Sequence, residues 1–254
     1  MRMWQGSEGG AKGQSMKVTH IGHSGFLIEL DTAILLFDYY RGEIPPLNPD
    51  KQVYIFSSHV HADHFHMRIF SIAPGAVYIL SNDIHKKYNR RYFEKKGVPE
   101  EIYERITFVK AHEELRIGGL YIRTLDSTDQ GVAFLVEACG KTIYHAGDLN
   151  WWSWEGETEE NERRMEQKFK GEIARLAGIP VDVACMTLDG RQGERFYWGF
   201  DYFMRNTDVK LVYPMHYWEE PQVIERLISM EISEPYRERL YGYNGMHQGL
   251  WQME

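Results

Sequence analysis

Cysteine is nearly missing: Cys139 and Cys185 are the only two in 254 residues. That is too few for a disulfide framework and points to a reducing compartment, the cytoplasm. No apolar run approaches the roughly eighteen residues of a membrane-spanning helix. The opening MRMWQGSEGGAKGQS has no apolar stretch of the signal-peptide kind, so residues 1–15 read as a flexible leader. Positive charge is also short, with 29 Lys and Arg against 37 Asp and Glu, a formal net charge of −8. Such a balance repels phosphate polymers and anionic lipid, which excludes nucleic acid and membranes as expected partners. No Pro/Ser-rich linker divides the chain, and residues 16–254 read as a single domain.

What remains is ample for a core, with 43% hydrophobic and 14% aromatic residues. From Lys17 the chain runs through short β-branched and apolar stretches, KVTHIG, FLIEL and AILLFD, which predict an opening β-meander. VYIFSS at 53–58 is apolar enough for a strand buried on both faces, and it leads directly into HVHADHFH. AVYIL is a further strand and Ser81–Lys96 reads as helical. ITFV, LYIRTL, VAFLVE and TIYH predict a second meander that ends at His145-Ala-Gly-Asp148. Met165, Phe169, Ile173 and Leu176 recur at helical spacing within Glu157–Ala177, which stops at Gly178 and Pro180. VACMTL and KLVYP are strands, and Pro221–Glu231 predicts a last helix.

Four of the eleven histidines, His59, His61, His64 and His66, fall within eight residues, with Asp63 among them. In an extended segment His59 and His61 project from one face and can offer two imidazoles to one ion. After a turn, Asp63 and His64 can address a second ion about 3.5–4 Å away. H-x-H-x-D-H therefore describes a two-metal cradle. Asp148, at a strand end beside Gly147, can give one oxygen to each ion, and His216 follows the apolar run KLVYPM.

The H-x-H-x-D-H motif after a buried strand resembles the metallo-β-lactamase superfamily. THIGHSGFLIE, HAGD and Pro214-Met215-His216 resemble its ascorbate-phosphate-lactonase-like branch most. The resemblance implies an α/β fold, an αββα four-layer sandwich of two mixed β-sheets flanked by helices, with metals in a groove at the sheet edges. It assigns His59 and His61 to a first site, Asp63, His64 and His216 to a second, and Asp148 to the bridge. The family's third first-site histidine has no counterpart here, because the corresponding stretch reads Leu125-Asp-Ser-Thr-Asp-Gln-Gly131. Asp129, Asp126 or Ser127 can substitute as harder oxygen ligands, which shifts preference from zinc toward manganese or iron or leaves the first site weak and the enzyme effectively mononuclear; an Asx-turn is the other reading of that loop.

Trp151, Trp152 and Trp154 after Asp148, and Tyr217 and Trp218 after His216, are candidates for the wall of a substrate groove or for plain packing. His23 reads as a turn or buried polar residue, or one lying under the site. His20, His66, His85, His112 and His247 read as structural or exposed. The basic run HKKYNRRYFEKK reads as a solvated helix face. Together these readings predict a metal-dependent hydrolase with two divalent ions (Zn, Mn or Fe). A metal-bound hydroxide would attack a lactone, ester or phosphoester of a small molecule, and Asp63 would handle the proton. An iron-dependent redox enzyme and a non-catalytic metal-binding regulator are the alternatives.

Overall fold

The His23-Ser24 turn reverses the chain between β1 (Lys17–Gly22) and β2 (Gly25–Glu29), and Asp31-Thr32 reverses it again into β3 (Ala33–Phe37). β4 (Gln52–Ser57), β5 (Val77–Ser81) and β6 (Ile106–Val109) then add in parallel, giving a six-stranded mixed sheet in sequence order. Between β5 and β6 lie α1 (Asn82–Lys87), α2 (Arg90–Lys95) and α3 (Glu100–Tyr103). The computed structural model describes residues 15–218 and 220–241; the expected leader, apart from Ser15, and His247 lie outside them.

The second sheet repeats the plan. β7 (Glu114–Ile117), β8 (Leu120–Asp126), β9 (Val132–Ala138) and β10 (Lys141–His145) form an antiparallel meander. α4 (Glu159–Ala174) precedes β11 (Pro180–Thr187), and α5 (Trp198–Asn206) precedes β12 (Asp208–Met215), the two strands adding in parallel. α6 (Gln222–Ser229) follows. Phe37 and Phe56 stack at 4.5 Å and meet Phe134 of the facing sheet at 5.2 Å from Phe56, so the main core lies between the sheets. Tyr144 of β10 lies on the other face of the second sheet and stacks on Phe203 of α5 at 5.3 Å. A second cluster, with Ile55, Tyr78, Ile84 and Phe93, fills the space between the first sheet and α1–α3. The layers are therefore helix, sheet, sheet, helix, as expected. Among the described residues no helix is long and apolar enough to cross a membrane.

Several local expectations need correction. Ser81–Lys96 is two helices, because Asn89 is extended and its side chain accepts from Tyr92 N at 3.0 Å, capping a new start. ITFV is not in the second meander: it pairs with β5 and closes the first sheet. The second meander instead opens on β7, whose ELRI sequence is too polar to stand out. α5 was not foreseen, since its WGFDYFMRN sequence is dominated by aromatic residues of middling helix propensity. α4 is shorter than predicted because Thr158 accepts from Asn161 N at 3.3 Å and sets its start.

Candidate metal centre

Polar residues follow the C-terminal ends of six strands at one edge of the sandwich: Asp38 after β3, the His59–His64 loop after β4, and Asp129 after β8. Asp148, Asp189 and His216 follow β10, β11 and β12 in the same way. Parallel pairing of β3 with β4, and of β10 with β11 and β12, brings those ends to the same side. Two glycines let the sheets close there. A Cβ on Gly131 (φ 72°) would collide with the Ser58 carbonyl oxygen and stand 2.5 Å from His59 Cβ. A Cβ on Gly147 (φ 52°) would stand 2.6 Å from Ser58 Cβ. Both positions need the left-handed backbone that glycine adopts freely.

The side chains converge in two groups. In the first, His59 Nε2 lies 3.0 Å from His61 Nδ1 and 3.4 Å from Asp148 Oδ2, and His61 Nδ1 lies 3.6 Å from Asp129 Oδ2. In the second, His64 Nε2 lies 3.7 Å from Asp63 Oδ2, and His23 Nε2 lies 3.2 Å from that same oxygen. His64 Nε2 and His216 Nε2 each lie 3.3 Å from Asp148 Oδ1. Within each set, His59-His61-Asp129-Asp148 and His23-Asp63-His64-His216, one donor atom per residue lies within 4.8 Å of every other. Ligands about 2.1 Å from a tetrahedral ion stand about 3.4 Å apart, so both groups have the spacing of a metal shell. Among the described residues Asp148 alone faces both, one oxygen to each.

A direct fit test comes from unpaired atoms. Among the described residues, His64 Nε2, Asp148 Oδ1 and His23 Nδ1 are buried without a hydrogen-bond partner. Such atoms are costly unless something else binds them, and a divalent cation between imidazole and carboxylate is what this donor chemistry accepts.

His59, His64 and His216 are each aimed by a partner behind the ring. Asp38, fully buried, accepts from Ser58 N at 2.7 Å, Ser58 Oγ at 2.6 Å and His64 Nδ1 at 2.8 Å. Asp189 does the same for His216 Nδ1 at 3.0 Å while gripping Arg191. Ser58 Oγ lies 3.0 Å from His59 Nδ1. A bond at Nδ1 leaves Nε2 as the free donor atom, the usual arrangement behind a metal-binding imidazole. Burial would keep His64 neutral, but the Asp148, Asp38 and Asp63 carboxylates raise its pKa to about 9. Burial is opposed in the same way at Asp38 by His145 and His64, and at Asp189 by bonds from His216 and Arg191; both carboxyls are held down at about 2. Burial, with the neighbouring His64 charge, pushes the His59 pKa well below its ordinary value.

His59, His61, Asp63, His64, Asp148 and His216 are thus brought together, and Asp129 joins them. Ser127 does not: it is buried and its hydroxyl accepts from Asp129 N at 3.2 Å, so it shapes the loop. Asp126 turns away to Lys168 Nζ at 3.1 Å. A groove of about 640 Å³ opens over the centre, walled by Trp152, Trp154 and Trp218. Trp151 is outside it, packed against Trp198 and Phe169, and the Tyr217 hydroxyl points to His20 Nδ1 at 3.2 Å; neither forms the expected wall. Met165, expected on the core face of α4, lines the groove instead. Asp38 and Asp189 were not read from the sequence, and His23, read as a turn or buried polar residue or as one lying under the site, joins the second donor group. The available signal was an Asp directly after an apolar strand, as in AILLFD and VACMTLD.

Residues 17–163 match the family described as the beta-lactamase superfamily domain. A metal-dependent hydrolase of Heliobacterium modesticaldum is 28% identical over 222 residues, covering 83% of this chain and 86% of that one. One from Nanoarchaeum equitans is 26% identical over 227 residues, covering 80% and 84%. In three dimensions the chain is similar to a metallo hydrolase from the archaeon Ignicoccus hospitalis, with a TM-score of 0.58, 15% identity and coverage of 94% and 99%.

Proposed function

Because the chain belongs to the beta-lactamase superfamily, we propose that it works as a metal-dependent hydrolase that opens a lactone, ester or phosphoester of a small molecule in the cytoplasm. The observation that carries this is Asp148, whose two oxygens face two separate donor groups while Oδ1 has no hydrogen-bond partner among the described residues.

His59, His61, Asp129 and Asp148 would hold one ion, and His23, Asp63, His64 and His216 with the other Asp148 oxygen a second. When bound, zinc, manganese or iron supplies Lewis acidity and lowers the pKa of coordinated water toward neutrality. The chain's own residues do the rest. Asp63 belongs both to the second donor group and to the groove lining, so it can take a proton from the attacking water and deliver it to the leaving oxygen. Asp38 and Asp189 keep His64 and His216 in the orientation that leaves Nε2 free. His61 and Asp129 are the more open pair, with side chains 41% and 44% exposed, so substrate approaches over the first group. The carboxylate at position 129 makes that group richer in oxygen, which favours manganese or iron over zinc relative to an all-histidine set.

The test is metal content per chain measured together with turnover of a panel of lactones, esters and phosphodiesters. The expected result is one to two ions and turnover that chelation stops and metal restores. Bound metal without turnover of any of the panel would identify a scaffold, and metal-dependent O₂ consumption a redox enzyme. Asp148→Ala should lose both ions and all turnover.

A further inference from the structure

The groove has a cation whose position is already decided. Arg191 donates to both carboxylate oxygens of Asp189 through Nε, at 2.9 and 3.0 Å, and through Nη2 at 2.5 Å, and its guanidinium lies 4.7 Å from the centre of the Trp218 ring. Nη1 makes no hydrogen bond among the described residues. The side chain remains 49% exposed and lines the groove with Asp63, Asp148 and His216. Asp189 also holds His216, so the guanidinium and a metal-facing imidazole are aligned by one buried carboxylate. In the same groove, Trp152 and Trp154 are parallel to within 2°, with ring centres 5.9 Å apart, and Trp152 lies edge-on to His216 at 5.6 Å.

From Arg191 and this indole pair we infer that the groove selects a small molecule carrying a carboxylate or phosphate on a flat ring, the anion bound by Arg191 and the ring by Trp152 and Trp154. A guanidinium fixed in advance loses little freedom on binding and presents its planar fork to an oxyanion. Indole faces bury a planar group without demanding hydrogen bonds. A cation beside the acidic centre also directs an anion's approach within a protein that is negative as a whole. The inference rests on the groove being the substrate site, but its test does not rest on catalysis.

Three groove tryptophans allow binding to be followed by intrinsic fluorescence in the manganese-loaded protein. The probes are benzoate, phenyl phosphate and neutral benzyl alcohol, with inorganic phosphate as the ringless control. One of the two anions should bind at least about tenfold more tightly than benzyl alcohol, as expected for charge-assisted hydrogen bonding. Arg191→Met should erase that advantage with metal content unchanged, and Arg191→Lys should retain part of it. Trp154→Ala should weaken phenyl phosphate more than inorganic phosphate. Preference between benzoate and phenyl phosphate then identifies the anion. Equal binding of the neutral probe, or an anion preference that survives in Arg191→Met, overturns the inference; if Arg191→Met sheds metal, a full preference in Arg191→Lys overturns it. Arg191-dependent binding without turnover of any ester would leave the inference standing while the hydrolase reading fell.

Discussion

Asp38 and His64 are 26 positions apart and both fully buried, and they meet at 2.8 Å between Oδ2 and Nδ1. The contact decides which nitrogen of His64 faces the centre. Asp38→Asn keeps the size but removes the charge that orients the ring. Metal affinity should fall by about 10–100-fold, the usual consequence of losing a carboxylate behind a ligand. Competition with a chelator, alongside an unchanged circular dichroism spectrum, measures this; unaltered affinity would assign Asp38 to holding Ser58 only.

Asp129 Oδ2 stands 3.6 Å from His61 Nδ1, in the stretch where the family resemblance leads one to expect a histidine. Asp129→Ala should retain one tightly held ion and lose the other, read by metal analysis after dialysis. Asp129→His should raise zinc affinity relative to manganese. If stoichiometry and selectivity are untouched by both changes, the loop is a turn and not a ligand.

Gly131 closes the Asp126–Gly131 loop against the Ser58 backbone. Gly131→Ala should destabilise the fold by more than about 2 kcal/mol, since left-handed strain of about 1–2 kcal/mol adds to the collision. Denaturant unfolding measures it, and first-site metal should weaken in parallel because the loop carries Asp129.

A pH test is available far from the centre. Asp182 on β11 accepts from Thr142 N of β10 at 2.9 Å and from Lys210 Nζ of β12 at 2.7 Å, tying three strands. Burial acts against ionisation, but these bonds hold its carboxyl below the ordinary value of 3.8. The stabilisation is therefore present above the ordinary carboxylate pKa and disappears as pH falls through the lowered one. Asp182→Ala should cost about 1 kcal/mol at pH 7 and progressively less as pH falls below 4, seen as converging unfolding curves.

How far the sequence revealed this centre depended on distance along the chain. His59, His61, Asp63 and His64 are legible because one loop carries them all, and Asp148 and His216 because each terminates an apolar strand within a recognisable motif. Asp38 and Asp189 have the same strand-end signature, but their role comes from contacts 26 and 27 positions away that no local pattern encodes. Trp151 and Trp152 were indistinguishable as neighbours; only the direction of each side chain separates the packed ring from the one at the groove. β6 was legible as a strand and not as a member of the first sheet, because partner choice is set by the α1–α3 connection.

Each donor group draws on both sheets. His59 and His61 come from the first and Asp129 and Asp148 from the second, while His23, Asp63 and His64 face His216 across the same seam. An ion seated in either group is consequently a cross-link between the two halves of the sandwich, fastened at the end where two glycines let the backbones close. Unfolding has to release it, so at a hundredfold excess over its dissociation constant each ion adds about 2.7 kcal/mol to the fold. Withdrawing metal from the cell would then thin the population of intact protein as well as silence it, making the enzyme's lifetime a gauge of metal supply.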